Sequence, residues 1–85
     1  LSKTISSQSQ TVLCLELVEA RKRAGLLQSD LAEKLDCHQS LIARIESGQR
    51  RIDVIEFLIL TRAIQANPEE LLAKVAAHIG DRDRL

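Results

Sequence analysis

The sequence predicts an all-α fold, and three observations carry the prediction. Apolar residues recur three and four positions apart along most of the chain, and no segment alternates apolar with polar side chains as a half-buried strand does. Helix stops and starts divide the chain into short segments, with Gly25 and Gly48 as stops and Asp53 and Asn67-Pro68 as starts. There is one Phe and no Trp, Tyr or Met, so the core must come mainly from Leu, Ile, Val and Ala. Such side chains suit helices packed on helices, and 85 residues suffice for one small domain.

Five helices follow in order. The first is expected over residues 11–24, with Leu13, Leu17, Ala20 and Ala24 on one face and Gly25 as its left-handed stop. The second, over 28–35, turns Leu31, Ala32 and Leu35 inward. A turn at Asp36-Cys37 leads to the third, over about 39–47, which turns Ile42 and Ile45 inward and leaves Gln39, Ser40, Ala43 and Arg44 outward. Ala32 is small enough for close helix crossing, His38 is expected to cap the third helix, and Gly48 ends it. The fourth has the strongest start in the chain: Asp53 as cap, Glu56 closing a capping box, and Ile52 stapled to Phe57. Its core stripe is expected to be Val54, Phe57, Leu58, Thr61 and Ile64. The fifth opens with Asn67 as cap, Pro68 at the first helical position, Glu70 closing the box and Ala66 facing Leu71, and is expected to end near Ile79, before Gly80. Residues 1–10 are expected to be a flexible N-terminal segment, 11–79 the folded domain and 80–85 a tail.

Composition narrows the function classes. The Ser/Gln-rich first ten residues lack the apolar stretch of a secretion signal, and no apolar run approaches the ~20 residues of a membrane span, so the expected location is the cytoplasm. Cys14 and Cys37 do not have the spacing of a zinc site and are expected to act as small buried hydrophobes. His78, Arg62 and Lys74 are read as surface. No cofactor, metal site or catalytic residue is expected: there is no nucleophile–base pair and no phosphate-cradling glycine loop. The 12 basic and 12 acidic residues balance to zero net charge, which is unusual for a nucleic-acid binder. Positive charge is instead local, with Arg44, Arg50 and Arg51 at and after the third helix, while residues 53–85 are acidic overall.

The second and third helices have the layout of a helix-turn-helix, in which a braced helix offers its polar face to a major groove. With Arg21, Gly25-Leu26, Gln28-x-x-Leu31-Ala32, Ile42-x-x-Ile45-Glu46-x-Gly48, Phe57-Leu58 and Leu71-Leu72, the chain resembles the lambda-repressor-like, or Cro/XRE-type, DNA-binding domain over roughly residues 11–79. The resemblance implies a five-helix helix-turn-helix domain and a role for each matching position. Arg21 and Glu46 match a structural salt bridge and are set aside as DNA contacts. Gln28 matches a phosphate-binding glutamine that also steadies the first residue of the recognition helix. Gln39 matches that residue, and its amide complements the major-groove edge of adenine. Ser40, Ala43 and Arg44 share its face; the Ala43 methyl suits a thymine methyl, and Arg44 suits guanine or phosphate. Gln49, Arg50 and Arg51 match a loop that grips the DNA backbone. Three positions depart from the family: Leu27 stands where Ser, Thr or Asn caps the second helix, at a cost of about 1 kcal/mol; Asp36 replaces the turn glycine; His38 replaces a Ser/Thr cap.

Ile55 and Ile59 are apolar where the family pattern is polar, and the fifth helix carries a similar excess in Leu72, Val75, Ala76 and Ile79. Spare apolar lines mark an interface, here expected to be that of a two-fold homodimer. The leading reading is a transcriptional regulator, a repressor in its simplest form, that binds a near-palindromic site in double-stranded DNA. The alternative, favoured by zero net charge, Leu27 and Asp36, is a protein-interaction module on the same fold.

Overall fold

The computed structural model describes residues 8–85, which form five helices: α1 (Gln8–Arg23), α2 (Gln28–Lys34), α3 (Gln39–Glu46), α4 (Val54–Ala63) and α5 (Pro68–Ala76). No strand occurs among the described residues, and no helix is long and apolar enough to cross a membrane. The long α1 packs on α5 and α3, α2 packs on α3, and α4 meets α5. One core joins them: Leu17 and Ala20 of α1, Leu31 and Ala32 of α2, Ile42 and Ile45 of α3, Phe57, Leu60 and the adjacent Ile64 of α4, and Leu71 of α5. Cys14 is buried and Cys37 half-buried against this core. The Cys14 thiol donates to the Ile45 carbonyl (3.5 Å), and burial raises its pKa.

The helix starts follow local chemistry. Asp53 Oδ1 accepts from the Glu56 amide (2.7 Å) and the Glu56 carboxylate accepts from the Asp53 amide (3.0 Å), which completes a capping box. Asn67 Oδ1 accepts from the Glu69 and Glu70 amides (2.9 and 3.1 Å), so Glu70 contributes its backbone. Leu27 has the extended backbone of a cap but no side-chain acceptor. Only half a box survives there, the Leu27 amide donating to Asp30 Oδ2 (2.8 Å). His38 likewise sits at the cap of α3 without a side-chain cap bond.

Four helices end in the same way. After α1 the Gly25 amide bonds the Lys22 carbonyl and the Leu26 amide bonds that of Arg21. The same pair of bonds recurs after α2, α3 and α4, where the left-handed residues are Asp36, Gly48 and Gln65. Asp36 (φ 55°) and Gln65 (φ 58°) adopt this conformation despite a Cβ, a cost of roughly 1–2 kcal/mol each. Nothing in the local sequence marks Gln65 as a stop.

Several expectations change. Residues 8–10 are helical, so α1 begins three residues earlier than expected, while residues 1–7 of the expected N-terminal segment lie outside the described residues. On α1, Cys14 and Arg21 are buried, while Ala24, expected on the buried face, lies just past the helix and is exposed. On α4, Val54 is 71 % and Leu58 44 % exposed, and Leu60 takes the core position instead. The helix is so apolar that two stripes satisfy the helical period. The buried one is Phe57, Leu60, Thr61 and Ile64. Finally, α5 stops at Ala76, and Ile79 follows in a turn closed by the Ile79 amide on the Ala76 carbonyl.

Candidate nucleic-acid interface

The outer face of α3 is fixed from behind by a buried ion pair. Arg21 donates from Nε to Glu46 Oε2 (2.7 Å) and from Nη2 to Glu46 Oε1 (3.1 Å), both side chains being only 8 % exposed. A third bond, from Arg21 Nη1 to the Leu26 carbonyl (2.7 Å), ties the pair to the turn after α1. The arginine fork matches the carboxylate in two places, so α3 is held to α1 in one register.

From Glu46 the network runs outward. Gln28 Nε2 donates to Glu46 Oε1 (2.9 Å), and Gln39 Nε2 donates to Gln28 Oε1 (3.2 Å). The carboxylate of Glu46 can only accept, so it decides which end of the Gln28 amide faces it. That in turn presents Gln28 Oε1 to Gln39 and leaves Gln39 its carbonyl oxygen and one N–H. These are an acceptor and a donor, the pair that the major-groove edge of adenine complements. The family resemblance implied the Arg21–Glu46 pair and the support of Gln39 by Gln28, but not the Gln28–Glu46 bond that joins them into one chain, because residues 28 and 46 meet only through tertiary packing.

Around this centre Gln39, Ser40 and Arg44 are exposed on α3, and Ala43 is half-buried between them and the core. After α3, Gly48 turns the chain at φ 85° and the loop presents Gln49 and Arg51, both exposed. Arg50 is disposed differently. Its Nη2 and Nη1 donate to Glu56 Oε2 and Oε1 (2.8 and 3.2 Å), and Nη1 also reaches the Arg51 carbonyl (3.1 Å). Arg50 thus faces the start of α4 and not outward with Arg51. Among the described residues no ion pair involves Arg44 or Arg51.

The expected partner surface divides into two parts. Ile55, Ile59, Leu72 and Ile79 are exposed, and Ala76 lies with them. Val75, expected on the same surface, packs half-buried against the protein's own core beside Leu71, because the side of α5 that carries both faces α1. Leu35, Ile55, Leu58, Ile59, Ala66 and Pro68 line a shallow groove of about 810 Å³ between α2, α4 and the start of α5.

Comparison with known proteins agrees with this architecture. A family profile described as helix-turn-helix matches residues 17–71. Among solved structures, an XRE-family like protein from Pseudomonas syringae pv. tomato str. DC3000 superposes with a TM-score of 0.80 at 39% sequence identity, covering 93% of this chain and 96% of that one. No curated protein matches the sequence significantly. With the five-helix order, the braced α2–α3 pair and these matches in agreement, the chain belongs to the Cro/XRE-type helix-turn-helix family of DNA-binding transcription regulators.

Proposed function

We propose that the protein is a transcriptional repressor that binds a near-palindromic operator as a homodimer and blocks access of the polymerase. The observation that carries the base-reading half of this proposal is the chain of bonds Arg21–Glu46–Gln28–Gln39. It spends buried, charge-assisted hydrogen bonds on orienting a single exposed amide at the start of α3. In the proposed complex Gln39 reads adenine, Ser40, Ala43 and Arg44 contact neighbouring base edges, and Gln28, Gln49 and Arg51 lie on phosphates.

The homodimer is supported by the apolar surface of α4 and α5. Ile55 (64 % exposed) and Ile59 (49 %) stand one turn apart on α4, and Leu72 and Ala76 one turn apart on α5. Two-fold pairing through this surface would cover side chains that water otherwise solvates, and set two copies of α3 one helical turn of DNA apart, ~34 Å.

Selection of bound sequences from a pool of random duplexes tests the proposal. Enrichment of a two-fold symmetric site is the expected result. A chain that enriches no sequence and binds no duplex at low salt would instead be a protein-interaction module on this fold.

A further inference from the structure

Arg50 and Arg51 are adjacent, follow the same glycine and belong to the same loop, yet they are treated differently by the fold. Arg51 is exposed, whereas Arg50 is held by both oxygens of Glu56 and by the Arg51 carbonyl. Glu56 does not wait for Arg50 to position it. The capping box already fixes its carboxylate against the Asp53 amide (3.0 Å) at the first turn of α4. An anion whose rotamer is set by a helix cap loses little further freedom on pairing, so the entropy cost of this surface salt bridge falls mainly on Arg50. Arg50, followed by the Asp53 amide, holds the Glu56 carboxyl down to about 2, so it is charged at any physiological pH.

We propose that Glu56 is an affinity-limiting residue, an internal counter-anion that keeps the Arg50 guanidinium off DNA phosphate. This rests on the DNA-binding reading above and adds to it. A cation spent on Glu56 releases no counterion from DNA, so each bound chain makes one phosphate contact fewer than its loop sequence offers. The loss applies to every sequence alike. It lowers overall affinity and salt sensitivity without altering discrimination by Gln39 and Arg44.

The test uses a random-sequence duplex and the full chain as wild type, Glu56→Gln, Arg50→Ala and the double variant, with affinity measured by anisotropy from about 50 to 200 mM salt. Glutamine retains an oxygen for the capping box, and circular dichroism checks the helix content of each variant. Glu56→Gln is expected to steepen the log-affinity against log-salt slope by about 0.9 per bound chain, which is about eightfold tighter binding at 0.1 M salt. Arg50→Ala is expected to leave the wild-type slope unchanged, and the double variant to match Arg50→Ala. The proposal is overturned if Arg50→Ala flattens the slope by about 0.9, since Arg50 would then already be on phosphate. It is equally overturned if Glu56→Gln leaves the slope unchanged, or if the double variant stays as steep as Glu56→Gln, which would mean simple repulsion by Glu56. In these cases the wild type still binds, and the DNA-binding reading stands. A wild type that binds no duplex at the lowest salt removes both.

Discussion

Replacing Glu46 by alanine is predicted to destabilise the fold and to loosen Gln39, the proposed base-reading residue, together. The carboxylate accepts three hydrogen bonds, two from Arg21 (2.7 and 3.1 Å) and one from Gln28 (2.9 Å), at 8 % side-chain exposure. Alanine leaves a buried guanidinium with the Leu26 carbonyl as its remaining acceptor. Removing one partner of a buried ion pair costs about 3–5 kcal/mol, a large share of the roughly 5–15 kcal/mol that holds a domain together. At roughly 4–8 °C per kcal/mol for a domain of this size, the midpoint should fall by about 12–40 °C. Urea unfolding followed by circular dichroism measures the loss. Arg21→Met combined with Glu46→Leu fills the same space without a stranded charge, and is expected to recover most of it. A single variant that costs less than about 1 kcal/mol, or a double variant no better than the single, would refute the claim that the desolvated pair braces α3 on α1.

Three further changes test the helix ends and the partner surface. Leu27→Ser supplies the missing α2 cap at an exposed position and is expected to stabilise by about 1 kcal/mol in urea unfolding; no gain would mean that Asp30 already satisfies that turn. Gln65→Gly relieves the left-handed strain after α4, with an expected gain of about 0.5–1 kcal/mol after allowing for the freer unfolded chain. A loss there would show that the Gln65 side chain makes contacts outweighing its backbone. Ile59→Glu is expected to convert the proposed dimer to a monomer in sedimentation with helix content intact, and an unchanged sedimentation coefficient would contradict the proposed interface.

What the sequence disclosed and what it hid follow from the range of the interactions. The capping residues Asp53 and Asn67 act on amides two or three positions away, so their helices begin where the local pattern puts them. Gly25 and Gly48 were visible as stops because left-handed backbone favours glycine. Gln65 was not, since glutamine carries no preference for the left-handed backbone that it adopts there. Helix existence was legible throughout, but the phase of α4 was not. With apolar residues on nearly every side, Val54 and Leu58 fit the period as well as Leu60 does, and only the core residues contributed by the other helices decide between them. The same limit applies to the interface. The outward set on α3 could be read from periodicity and family resemblance, whereas the capture of Arg50 by Glu56 links positions six apart across a turn, where no spacing rule applies.

The central claim is that Gln39, oriented through Gln28 and Glu46, reads a base. Its most direct test is the affinity of wild type and Gln39→Ala for every single-base change of the selected site. The account predicts that wild type discriminates at one position in each half-site by about 1–3 kcal/mol, with adenine preferred, and that Gln39→Ala loses this preference while keeping the others. A Gln39→Ala profile identical to that of wild type would contradict it.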